Sequence, residues 1–137
     1  MTRGKVVLVA FPFDDLSTDK ARPAICLTEP LGKNRHVVLA FVTSREPDDP
    51  LDTDIPLDPG DPDFAQTGLH VRSIVRAHRL LTVSSTVIKR ELGHLSAERL
   101  DQLTRAVRGL FEAGSGSAER APGGHGRFPP PLDPGSR

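Results

Sequence analysis

The sequence predicts a small, mostly-β barrel closed by one C-terminal helix. Three observations carry this. Short apolar runs rich in valine recur between turns that contain Gly or Pro. One stripe at helical period, Leu100, Leu103, Val107, Leu110 and Phe111, stands near the end. Between them no apolar segment is long enough to be another major helix. The chain has 137 residues, which fits one domain of ordinary size with a core of its own.

Taken in order, residues 5–11 form an apolar run bounded by Gly4 and Pro12, which reads as a buried strand. A polar loop over 12–20 follows. Residues 22–28 are the second strand, with Pro23 at its start, where a missing N–H costs no ladder bond. Residues 30–34 make a turn, and 36–43 are the third strand, nearly continuous in Val, Leu and Phe. The segment 46–63 carries Pro47, Pro50, Pro56, Pro59 and Pro62, so it holds at most a brief edge strand at 54–57. Residues 71–81 read as two strands or one with a kink, and 87–95 as a weaker strand. Ser96 is placed to cap the helix, with Glu98 in the first turn, where negative charge suits the dipole. From Gly114 onward the composition is Gly-, Ser- and Pro-rich, and a disordered tail is expected. The expected division is a folded domain over 3–112 and a tail over 113–137.

Composition excludes several classes. The single Cys26 rules out an intrachain disulfide scaffold and points to a reducing compartment. No run approaches the roughly 20 apolar residues of a membrane helix, and the N-terminus lacks the pattern of a signal peptide. A soluble cytoplasmic protein is the expectation, with no membrane partner. The formal net charge is zero, but it is unevenly spread. Glu46, Asp48, Asp49, Asp52, Asp54, Asp58, Asp61 and Asp63 share one stretch with no Lys or Arg. The rest of the chain is basic and can present a positive face to nucleic acid. The acidic stretch itself reads as a solvated loop, or as one that gates a polyanion.

Chemistry-bearing residues cluster at strand ends. Lys20, Ala21, Arg22 and Pro23 lead into the second strand, setting a guanidinium at a loop–strand junction. Its fixed fork of donors suits a phosphate. The third strand ends in Thr43 and Ser44, whose hydroxyls both donate and accept. Arg76 and His78 are two apart on a strand, so simple alternation projects them from one face. An imidazole titrates near neutrality and can move a proton. No His, Cys or carboxylate set has metal-ligand spacing, and neither metal nor cofactor is expected.

These pieces, together with the valine-rich start, Gly68 and Leu69, the stretch 73–80, and Leu92, Gly93, His94 and Leu95, occur in the order of a known family. The chain resembles the MazF/PemK toxin endoribonucleases of bacterial type II toxin–antitoxin pairs, over residues 3–111. The resemblance implies an SH3-like barrel, a homodimer and a cognate antitoxin. It further implies metal-independent, sequence-specific cleavage of single-stranded RNA through the 2′-hydroxyl. Arg22 would contact the scissile phosphate, and Thr43 would bond the same group. Arg76 and His78 would take the places of an arginine–aspartate acid–base pair. His78 departs from the family pattern there, which puts the carboxylate's role in doubt. Ser44, Asp15 and Lys20 would line the substrate path, and Phe13 would stack on a base.

Each site residue also has a plainer reading. Arg22 can ion-pair with Asp14, Asp15 or Asp19. The Thr43 hydroxyl can cap a loop, and His78 can be a partly buried histidine without catalytic duty. The same fold also occurs in toxins that bind DNA gyrase without cutting, so fold does not decide activity. A third possibility is an inactive, RNA-binding relative.

Overall fold

In the computed structural model, residues 1–10 and 21–117 are described, with side chains through Glu112. Six strands pair antiparallel into one sheet. They are β1 (Lys5–Ala10), β2 (Ala21–Cys26), β3 (His36–Thr43), β4 (Asp54–Leu57), β5 (Ser73–Ser84) and β6 (Ile88–His94), with α1 (Ala97–Ser117) following. The strand order is β4-β5-β3-β2-β1-β6. The described residues fall into two units, one over Met1–Val107 and one that begins at Arg108. The first contains the whole sheet.

Both faces of the sheet are buried, which is why its strands read as continuous apolar runs rather than alternating ones. Neighbours in sequence go to opposite sides. Val6, Ile25, Ala40 and Val42 join Leu100 and Leu103 of α1 in one core. Val7, Val9, Ala24, Cys26, Val37 and Leu39 form a second. The long β5 serves both, with Val75 and Ala77 in the first and Val83 in the second.

The edges β4 and β6 are not paired with each other, so the ladder does not close into a continuous barrel. β4 has four residues and includes Pro56, which has no N–H to extend a ladder. The gap is covered instead by a 3-10 turn, Ala65–Thr67, packed on β6. A Cβ at Gly68 would land on the Leu92 carbonyl, and one at Gly93 on the Gln66 carbonyl. Gly68 also adopts φ +75°, a conformation that favours glycine. These two glycines let backbone lie on backbone where a ladder would otherwise be.

Ser96 caps α1 as expected, its Oγ accepting from the Arg99 N–H at 3.1 Å while its hydroxyl donates to Asp63 at 2.7 Å. The apolar stripe is buried at Leu100 and Leu103, but Phe111 is 77% exposed. Phe111 follows Leu110 directly, and successive residues lie about 100° apart around a helix, which carries it off the stripe. The helix also runs past Gly114 to Ser117, beyond the expected domain end at 112. Adding residues to an existing helix is far easier than starting one. The expected tail beyond Ser117 lies outside the described residues. Among those described, no helix is long and apolar enough to cross a membrane.

Candidate functional site

Two irregularities in the sheet create a cavity. The first is at Pro23. β2 pairs with β1 from Ala21, but its pairing with β3 begins only at Ala24, opposite Phe41. Pro23 has no N–H to offer β3, so the strands part toward Arg22 on one side and Thr43 on the other. The second lies in β5. Val42 of β3 faces Val75 and Ala40 faces Leu80, so β5 spends five residues where β3 spends two. The extra residues bulge between Arg76 and Arg79 and break the alternation of side chains.

The resulting cavity has a volume of about 680 Å³, with Pro23, Phe41 and Val42 in its wall. It is lined by the guanidinium-bearing residues Arg22, Arg45, Arg76 and Arg79, together with Thr43. Arg22, Thr43 and Arg76, expected from sequence to share a site, line this one cavity. His78 is exposed and does not line it, and Ser44 is exposed and does not line it either. The bulge is the reason for the first: it ends the two-residue period that would have put His78 beside Arg76. Arg79 lines the cavity instead, and simple alternation could not have found it. Arg45 was missed because it follows the strand, in a turn. Phe13, Asp15 and Lys20, and the aspartates offered as partners for Arg22, lie outside the described residues.

The donors differ in how they are held. Arg76 lies directly opposite Asp54 in the β4–β5 register. Its Nε donates to Asp54 Oδ1 at 2.8 Å, and both side chains are only 11% exposed. Another guanidinium nitrogen donates to the Asp49 carbonyl at 3.2 Å, and the Asp49 carboxylate stands 3.5 Å away. Arg76 is thus a fixed cation with part of its fork already used. Thr43 Oγ1 accepts from the Arg45 N–H at 3.1 Å. That is the loop-capping bond anticipated for this hydroxyl, and it occupies one lone pair while leaving the O–H to donate.

The acidic stretch is neither a fully solvated loop nor a free repulsive one. Glu46 and Asp58 pair with Arg72 at 2.8 and 2.6 Å, and Asp58 lifts the Arg72 pKa by its hydrogen bond. Asp61 and Asp63 pair with Arg99 at 2.8 and 3.4 Å. The Ser96 hydroxyl bond, with Arg99 nearby, holds the Asp63 carboxyl below the usual range. With Asp49 and Asp54 on Arg76, the stretch is tied down at three arginines. Glu46 and Asp48 also line the cavity. Among the described residues no group of three or more His, Cys, Asp or Glu is placed to hold a metal ion.

The molecule is a small antiparallel sheet whose parted strands open a cavity lined by four arginines, Thr43 and two carboxylates. The family profile of PemK-like, MazF-like toxins of type II toxin–antitoxin systems matches residues 2–111. The chain belongs to that family. Among solved structures it is similar to the Mycobacterium tuberculosis toxin MazF-mt6. Identity is 24%, with 79% of this chain and 96% of that chain covered, at a TM-score of 0.59. It is also similar to a mycobacterial endoribonuclease solved with its cognate antitoxin, at 16% identity, with coverage of 82% and 95% and a TM-score of 0.59. A MazE–MazF complex from Deinococcus radiodurans gives 18% identity, coverage of 81% and 94%, and a TM-score of 0.60. At these identities the likeness shows the shared fold. No curated protein matches the sequence.

Proposed function

We propose that this toxin is a metal-independent endoribonuclease that cuts single-stranded RNA at a preferred sequence. The observation that carries the reading is the meeting of Arg22, Thr43 and Arg76 in one cavity. RNA supplies its own nucleophile. The 2′-hydroxyl loses its proton and attacks the adjacent phosphorus. The bond from phosphorus to the 5′-oxygen breaks, and that oxygen takes up a proton. The products are a 2′,3′-cyclic phosphate and a 5′-hydroxyl. Such a reaction asks the protein to stabilise charge on the phosphorane-like transition state and to move two protons.

Arg22 and Arg76 supply the charge stabilisation. Arg76 is pre-oriented by Asp54, so it needs little reorganisation when charge develops. Thr43, whose O–H still donates, aligns a phosphate oxygen. His78, exposed between Arg76 and Arg79 and outside the cavity wall, is the proton carrier in this reading. A cognate antitoxin that covers the cavity and a homodimeric assembly complete the reading, and the antitoxin complexes of two fold relatives support the first. The cytoplasm, where RNA targets and reduced thiols occur together, is the compartment it implies.

The test is incubation of the purified chain with a long mixed-sequence RNA in EDTA, with mapping of the ends. Cleavage at one short motif with cyclic-phosphate ends, abolished by Arg22→Ala and by Thr43→Ala in folded proteins, is the expected result. Intact RNA with the wild-type chain would refute the activity and turn attention to gyrase binding. His78→Ala is expected to lower the cleavage rate while sparing RNA binding, and an unchanged rate would remove His78 from the role.

A further inference from the structure

We infer that Arg79, with Arg45 on the same cavity, is the seat for an RNA backbone phosphate next to the one being cut. This rests on the ribonuclease reading and adds to it a binding subsite. Three observations bear on it. The β5 bulge, which adds three residues relative to β3, is what makes Arg79 part of the cavity wall in place of His78. A bulge interrupts a ladder and re-aims a side chain. Second, Arg79 and Arg45 have no side-chain hydrogen bond or ion pair among the described residues. Arg72, Arg76 and Arg99 are all committed to carboxylates. Third, both are exposed residues on the same cavity that Arg22, Thr43 and Arg76 line.

Charge then sorts the cavity by task. Arg76 is anchored and partly satisfied, so it suits a fixed point of catalysis. Arg79 and Arg45 keep all their side-chain donors for a ligand. A chain of phosphodiesters entering the cavity needs more than one cation, because neighbouring phosphates follow at regular spacing and each carries a charge. Contacts of this kind position the strand and set affinity without reading sequence.

The experiment uses a 2′-O-methyl RNA oligonucleotide, which the proposed reaction cannot cut, and measures its binding to the full chain by anisotropy over a range of salt. Each phosphate contact on a single strand contributes about 0.7 to the slope of log affinity against log salt. Arg79→Ala is expected to lower that slope by about 0.7 and to weaken binding equally for oligonucleotides of different sequence. Arg79→Lys should keep the slope. Arg105→Ala, a charge removed from the exposed surface of α1, should leave it unchanged. Arg79 is exposed, so the variants are expected to fold, and circular dichroism checks this. An unaltered slope in Arg79→Ala, or a loss confined to one sequence, overturns the inference. Absence of binding by the wild-type chain overturns it as well. If wild-type protein binds with the expected slope but leaves ordinary RNA uncut, the ribonuclease reading fails and the phosphate seat stands.

Discussion

Removing the Asp54 carboxylate should cost about 3 kcal/mol of stability, by the following route. Asp54 and Arg76 face each other across β4 and β5, bonded at 2.8 Å, with each side chain only 11% exposed. Breaking a buried pair from one side costs about 3–5 kcal/mol, because a charge is left without compensation. Asp54 Oδ2 also accepts the Leu51 N–H at 2.9 Å, and losing a hydrogen bond of that kind costs about 1 kcal/mol. Against these stands the Asp49 carboxylate, which remains near Arg76 but is 76% exposed. Exposed pairs contribute about 0–1 kcal/mol, so the offset is small. Arg76 also keeps its bond to the Asp49 carbonyl at 3.2 Å, so its charge is not left wholly without compensation, and the loss for Asp54→Ala falls at the lower end of the buried range.

Urea unfolding reads the change directly. With a slope of about 2 kcal/mol per molar, the midpoint should fall by roughly 1.5 M with the slope unaltered. Asp54→Asn keeps the shape and an acceptor for Leu51, and should lose less. The decisive comparison is a double-mutant cycle of Asp54→Ala with Arg76→Ala. A coupling energy under about 0.5 kcal/mol would refute the claim that the two side chains are a buried, interdependent pair. Asp54→Asn should also depress RNA cleavage more than RNA binding, because it loosens the orientation of Arg76. Equal effects on both would show that Arg76 is not oriented by this carboxylate.

Further outcomes are expected elsewhere. Gly68→Ala should lose about 3 kcal/mol or fail to fold, since its Cβ would meet the Leu92 carbonyl at a left-handed backbone position; a midpoint within error of wild type would show that the turn and β6 separate easily. The Asp63 carboxyl is held below its ordinary value chiefly by the Ser96 hydroxyl. Its contribution is therefore present above the ordinary carboxylate range and lost as pH falls through the lowered value. The thermal midpoint should accordingly fall more with decreasing pH, below about pH 4, in wild type than in Asp63→Asn. Cys26 is fully buried, and desolvation pushes its thiol up to about 11; thiol reagents at pH 8 should modify the folded chain only as fast as it opens. Asp49→Asn releases a competitor for the outer nitrogens of Arg76, and should tighten RNA binding several-fold without altering stability.

The sequence showed the elements better than their assembly. Residues 36–43 are a strand as expected, because an uninterrupted apolar run between turns has few alternatives. The edge strand at 54–57 and the Ser96 cap were equally legible, one from Pro56 and the other from a hydroxyl before a helical stripe. Arg22 and Thr43, at strand ends, and Arg76, within β5, line one cavity. What the sequence could not show is register. Alternation assumes an unbroken ladder; the reading of 71–81 as two strands or one with a kink allows for the bulge between Val75 and Leu80, but residue types do not say which side chains it re-aims. His78 therefore lies outside the cavity wall, and Arg79 was overlooked. The acidic stretch is largely exposed, as a solvated loop would be, but its ion pairs were not legible: its carboxylates meet Arg72, Arg76 and Arg99, 14 to 38 residues away, beyond the reach of any local pattern.

The two breaks in the sheet explain why a compact β protein of this size can have a site at all. A fully paired sheet would align its backbone groups with each other and leave no concavity among β2, β3 and β5. Pro23 withholds a donor on one side of the opening, and the β5 bulge displaces backbone on the other. Four arginines around one opening repel one another, and the fold offsets this unequally. Arg76 receives Asp54 and Asp49, while Arg45 and Arg79 receive no partner among the described residues. An arrangement selected only for stability would pair all of them, or replace them. Glu46 and Asp48 on the same cavity offset part of the repulsion without bonding Arg45 or Arg79 among the described residues, and a bound polyanion would relieve the remainder. In the proposed reaction, the stability forgone in the free protein becomes binding free energy for the strand, with Arg76 anchored by Asp54 as the fixed cation.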